Sequence, residues 1–169
     1  MTTTQPTEPI RAEHRELMPH IEELSRTATW ITTAPVPVIH ERLTEVLEFL
    51  GGHLIPHAMA EEETLYPAVE GCMGAPGATD TMARDHKEVM RLFEELAMVR
   101  DDLADPPTEA ERDRMAALLH GLYAIVALHF AKEEEIYLPI LDRELSPEQA
   151  AMLFERMDHA TRARHAALV

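Results

Sequence analysis

His57-Ala58-Met59-Ala60-Glu61-Glu62-Glu63, with Pro67 four residues on, and His129-Phe130-Ala131-Lys132-Glu133-Glu134-Glu135, with Pro139 four residues on, are one phrase written twice, 72 residues apart. The same offset carries His14-Arg15-Glu16-Leu17-Met18 onto His86-Lys87-Glu88-Val89-Met90, and Ile21-Glu22-Glu23-Leu24 onto Phe93-Glu94-Glu95-Leu96. Matches at a single spacing point to two related halves. Leu, Ala, Met, Glu and Arg recur in blocks with helical rather than alternating periodicity, and aromatics make up only 5% of the chain. The chain therefore reads as all-α. Two similar helix pairs predict an antiparallel up-down four-helix bundle with an internal two-fold repeat.

Proline, glycine and capping residues give the boundaries. The first helix is expected from near Thr7 to Trp30, bent at Pro19, and the second from about Val38 to Tyr66, ended by Pro67 and the glycines from Gly71 to Gly77. A third is expected over roughly Thr79 to Leu103 and a fourth over about Thr108 to Leu138. Ser146-Pro147-Glu148-Gln149 resembles a capping box that opens a short final helix over about 146–165. This gives a single domain over 1–169 with its metal-binding bundle at about 7–141. Pro56 lacks the amide that would bond the Gly52 carbonyl, so the second helix should be distorted between Leu50 and Ala60.

With 31 acidic against 15 basic side chains, the formal charge of -16 opposes phosphate backbones and anionic lipid surfaces, so neither nucleic acid nor membrane is expected as a partner. No apolar stretch reads as a membrane span, and Met1 to Pro6 does not resemble a secretory signal. The lone cysteine, Cys72, is expected in a loop and fits a reducing cytoplasm. Oligomeric state is left open.

Residues four apart on an α-helix differ by about 40° in azimuth and about 6 Å in height. His57 and Glu61 can therefore aim at one interior point, and His129 and Glu133 can do so from another helix, with His14 and His86 completing the set. Carboxylates buried in a bundle core cost several kcal/mol each unless a cation compensates, and a pair of metals would do so. His20, His40 and His120 have no histidine at the equivalent repeat position, and His159 and His165 lie in the appendage; none is assigned a role.

These residues resemble the hemerythrin-like, or HHE cation-binding, family, whose pattern is a histidine, His-x3-Glu, a histidine, and His-x3-Glu again. The resemblance covers about residues 10 to 141 and includes Leu65-Tyr66-Pro67. It implies two non-haem irons, oxo- or hydroxo-bridged, with His14, His57, His86 and His129 as terminal ligands and Glu61 and Glu133 as bridges. Family members carry or sense oxygen, act on nitric oxide or peroxide, or take part in iron homeostasis. The oxygen carriers have His-x3-His on the third helix, whereas here His86 is followed by Met90, whose thioether is a poor ligand for hard iron. About one open position per iron would suit peroxide or paired small ligands, so redox chemistry on peroxide or nitric oxide is expected. Reversible oxygen binding, oxygen sensing and iron handling are the alternatives.

The halves also differ where Tyr123 stands against Gly51 and Ile125 against His53. His53 lies four residues before His57 and is expected as a fifth ligand, as a group that donates a hydrogen bond or moves a proton to a bound peroxide, or as a core histidine satisfied by a backbone carbonyl or water. Tyr123 would reach the site only through space beside Gly51.

Overall fold

Three prolines shape the two longest helices. The structure, a computed structural model, describes residues 5–168, and there is no strand among them; Met1 to Thr4 of the stretch read against a secretory signal, and the last residue of the expected 1–169 domain, lie outside it. Five helices follow one another: α1 (Glu8–Trp30), α2 (36–73), α3 (Asp80–Asp101), α4 (Glu109–Glu144) and α5 (Pro147–Leu168). Helix α2 contains π turns at Leu50–Leu54 and Glu61–Leu65, and α4 contains one at Glu133–Tyr137. Each closes when the next residue's amide bonds five residues back: Ile55 to the Leu50 carbonyl, Tyr66 to Glu61 and Leu138 to Glu133. The residue after each of these donors is Pro56, Pro67 or Pro139. In an undistorted helix a proline ring clashes with the carbonyl four residues back, at a cost of about 3 kcal/mol or more. Widening the preceding turn by one residue relieves that clash.

The distortion expected ahead of Pro56 is present. Pro67, expected to end α2, lies within it, and the helix runs on to Gly74, whose φ of 62° is the left-handed cap that stops it. Cys72 therefore sits in the last helical turn rather than in a loop. Helix α4 likewise passes Pro139 to Glu144, well beyond the expected end at Leu138. Ser146 and Gln149 do form a reciprocal cap, but α5 is 22 residues long, not short. Thr7 sits at the start of α1 without capping it, since its hydroxyl donates to Asp142 instead.

Helix α1 packs along α4, α4 along α3, and α3 against the first part of α2. Arg11 of α1 meets Glu134 of α4, and Arg112 of α4 donates to the Ile31 and Ala34 carbonyls beyond the other end of α1. One apolar cluster holds Leu17, Ile21, Leu43, Leu54, Val89, Leu96, Leu119 and Val126. A second holds Ile10, Ala60, Tyr66, Met82, Leu138, Phe154 and Met157, and is closed by α5. On α1, α2 and α3 the histidine lies between members of the two clusters: His14 between Ile10 and Leu17, His57 between Leu54 and Ala60, and His86 between Met82 and Val89.

By length and composition alone, α4 is long and apolar enough to cross a membrane, which corrects the expectation that no stretch would be. In the fold it is a wall of the bundle, with Met115, Leu119, Leu122 and Val126 in the core and His129 and Glu133 facing inward.

Candidate metal centre

The six side chains picked out by the repeat meet between the two apolar clusters. Glu61 and Glu133 have no exposed surface, and His14, His57, His86 and His129 are all buried. Glu61 Oε1 lies 2.9 Å from His57 Nε2 and 3.6 Å from His14 Nε2, while Glu61 Oε2 faces His86 Nε2 at 3.4 Å and His129 Nε2 at 3.9 Å. Glu133 spans the same divide, with Oε2 3.4 Å from His14 Nε2 and Oε1 3.4 Å from His129 Nε2. Glu61 thus offers one oxygen to the His14 and His57 pair and the other to the His86 and His129 pair, and Glu133 reaches one histidine of each pair. Two groups result, His14-His57-Glu61 and Glu61-His86-His129, each with donor atoms within 4.8 Å of one another and Glu61 common to both.

The outward ring nitrogens meet four further carboxylates. His14 Nδ1 bonds Glu134 at 2.9 Å, His86 Nδ1 bonds Glu62 at 2.9 Å, and His129 Nδ1 bonds Asp85 at 3.1 Å. His57 Nδ1 stands 3.0 Å from Glu13 Oε1, but is not aligned for a hydrogen bond. A carboxylate facing Nδ1 holds the proton there, so that the Nε2 lone pair points inward and the ring is oriented for a cation. Sequence reasoning missed all four. The signal was present, because Glu13 and Asp85 are 72 residues apart, as are Glu62 and Glu134.

The donor atoms fit a cation and little else. His14 Nε2, both nitrogens of His57, both oxygens of Glu61 and Glu133 Oε2 are buried without a hydrogen-bond partner. Orphaned buried polar atoms each cost about 1–3 kcal/mol, and here all but the outward His57 Nδ1 face the two donor groups. With their protons drawn outward, His86 and His129 would bring two Nε2 lone pairs within 3.0 Å of each other, an arrangement that needs a cation or a proton between them. Burial opposes positive charge on His129, yet the nearby Glu133 and Glu61 carboxylates outweigh it and push its pKa up to about 10. Burial likewise opposes charge on His57, but the attraction of Glu61 holds its pKa well above the usual imidazole value. Burial alone would raise the Glu61 pKa, whereas the positive charge of His57 holds it well below the usual carboxylate value.

Tyr66 also reaches the centre, and the repeat did not disclose it. Its phenol oxygen is 3.0 Å from Glu133 Oε1, to which it donates, 3.1 Å from His129 Nε2 and 3.2 Å from His86 Nε2. Burial, followed by the Glu61 and Glu133 charges, raises the phenol pKa far above its ordinary value. The residue 72 positions later is Leu138, so the oxygen serves only the His86 and His129 side and makes the two donor groups unequal. Tyr66→Phe is expected to keep the metal content and shift the visible absorption of the iron-loaded protein. An unchanged spectrum would put the phenol outside the reach of the metal.

Neither asymmetric candidate from the sequence joins the cluster. His53 is exposed, its ring 6.0 Å from that of Phe49 and 5.8 Å from that of His165. The π turn at Leu50–Leu54 carries one more residue than an α turn, which rotates His53 out of the stripe shared by His57 and Glu61. Tyr123 packs half-buried against the first apolar cluster, and the space beside Gly51 is taken by the Phe93 ring, 3.5 Å from where a Gly51 Cβ would stand. Met90 is exposed, so its thioether lies away from the centre.

The hemerythrin HHE cation binding domain matches residues 5–141. Three relatives are each named iron-sulfur cluster repair protein YtfE. That of Escherichia coli O81 (strain ED1a) is 28% identical over 131 residues, and those of Escherichia coli O1:K1 / APEC and Escherichia fergusonii are 31% identical over the same length. Each match covers 75% of this chain and 58% of the relative, so the chain spans little more than half the length of the curated proteins it resembles. No solved structure matches it. With a family match over most of its length, the chain belongs to the hemerythrin HHE cation-binding family.

Proposed function

We propose that the chain holds two non-haem irons, with His14 and His57 on one, His86 and His129 on the other, and Glu61 and Glu133 between them, and uses the pair for redox chemistry on peroxide or nitric oxide. The observation that carries this reading is that each of the two fully buried carboxylates faces both histidine pairs. Imidazole and carboxylate donors without thiolate suit iron, as do the family and the name of the relatives. Ordered hydrogen bonds from α1 to α4 and the 72-residue spacing of every donor support an antiparallel bundle with an internal two-fold repeat.

When bound, two irons supply two electrons to one small ligand. The chain's own residues orient the four imidazoles through the carboxylates at Nδ1, keep bulk water from Glu61 and Glu133, and hold a proton on the Tyr66 oxygen beside Glu133. The partner is peroxide or a diatomic molecule, and the absence of any cysteine but Cys72 suits the reducing cytoplasm. A second reading, iron supply for cluster repair, rests on the name of the relatives.

Iron analysis is expected to return two ions per chain, and added peroxide to release oxygen over many turnovers. A single zinc and no iron would overturn the di-iron reading. A reversible oxygenated band with no peroxide turnover would replace the redox reading with oxygen carriage.

A further inference from the structure

A groove of about 840 Å³ lies beside the centre, between α1, the first part of α2 and the end of α5. Its walls carry Glu13, Glu16, Glu45, Glu48, His20 and His53, while Arg162 is the one cation that lines it among the described residues. Glu45 also pairs with Arg42 at 2.8 Å. Glu13 is at once a groove wall and the residue 3.0 Å from His57 Nδ1. His57 itself is 1% exposed, and that nitrogen, without a hydrogen-bond partner, points at Glu13. A second cavity, about 390 Å³ beside His14, is walled mostly by Met18, Pro19, Ala127, Phe130 and Ala131; of its two carboxylates Glu134 is already paired with Arg11, and Arg15 shares the wall with Glu22.

From this geometry we infer that the groove is the loading route of the centre, where hydrated divalent cations collect on Glu16, Glu48, His20 and His53 before passing Glu13 to reach His57. The inference rests on the reading that the six buried donors bind metal. Carboxylates and imidazoles spread along the walls exchange the water of a divalent ion stepwise without trapping it, because they do not converge as the centre does. A cleft lined by one sign of charge also raises the local concentration of counter-ions and their arrival rate, by about 10-fold to 1000-fold, and salt screens the effect.

The test is stopped-flow uptake of cobalt(II) by the metal-free protein, followed by its visible absorption at low and high salt. The variant is Glu16→Gln with Glu48→Gln, two groove residues outside the centre. The control is Asp102→Asn with Glu109→Gln, which removes the same charge at the connection between α3 and α4. The groove variant is expected to load about 10-fold more slowly at low salt, to lose most of the salt dependence, and to reach the same two ions and the same final spectrum. The control is expected to load as the wild type does. Wild-type uptake rates in the groove variant, equal slowing in the control, or a lowered final stoichiometry would each overturn the route while leaving the metal reading intact. A wild-type protein that takes up no cobalt or iron would overturn both.

Discussion

Glu61→Ala is expected to lower the metal content from the proposed two ions per chain to one or fewer and to weaken binding of what remains by more than about 100-fold. Residues that touch only a ligand change metal affinity by about 10-fold to 100-fold. Glu61 is nearer to the chemistry, since one of its oxygens serves each histidine pair and it is common to both donor groups. The alanine also removes a negative charge that holds His57 in its protonated form, so the metal-free variant carries a less basic His57. Glu61→Gln keeps the volume and loses the charge, which separates packing from ligation. Metal analysis and the optical spectrum of both variants are the measurement, and wild-type stoichiometry in Glu61→Ala would end the bridging assignment.

The second large effect is opposite responses to pH in the metal-free and loaded protein. The folded pKa of His129 is about 10 against an ordinary 6.5, and that of His57 is raised in the same direction. A raised histidine pKa contributes stability that is fully present below pH 6.5 and is lost as pH climbs towards 10. The depressed Glu61 contributes stability that is present above its ordinary 4.5 and is lost as pH falls through its folded value. The metal-free protein is therefore expected to be most stable between about pH 4.5 and 6.5, with its Tm falling on the alkaline side. A metal must displace the protons of His57 and His129, one at each proposed metal position, so the apparent affinity for each ion should rise by up to about 10-fold per pH unit as pH climbs towards the raised pKa of its histidine. Tm against pH without metal, and proton release on loading in weak buffer, report the two arms. An affinity flat from pH 7 to 9 would show that both imidazoles are already neutral.

The six central donors were legible because each recurs at one offset and the His-x3-Glu spacing needs only a helix to place both side chains on one face. Glu13, Asp85, Glu62 and Glu134 obey the same offset yet escaped notice. An acidic residue on a helix reads as a solvated surface, and these four meet their histidines across helix boundaries that periodicity does not describe. Tyr66 was hidden for the opposite reason, since Leu138 breaks the repeat at that position. His53 was misplaced by an α-helical ruler laid over a π turn, and Tyr123 by an imagined space that Phe93 fills. Pro67 and Pro139 read as helix stops, whereas a widened turn lets a helix pass through a proline.

Those widened turns have a consequence for how the chain can change length. A π turn is an α-helix that has absorbed one surplus residue without breaking, so the 50–54, 61–65 and 133–137 windows are where a single-residue deletion leaves the flanking helix in phase. Elsewhere in α2 or α4 the same deletion would rotate everything beyond it by about 100°. Each window is nevertheless locked to the proline that follows it, because a trimmed turn would restore the clash with the carbonyl four residues back. Loss of the surplus residue and loss of the proline are thus coupled events, and a chain that underwent only one of them would carry the adjoining His57, Glu61 or Glu133 on a strained or slackened turn.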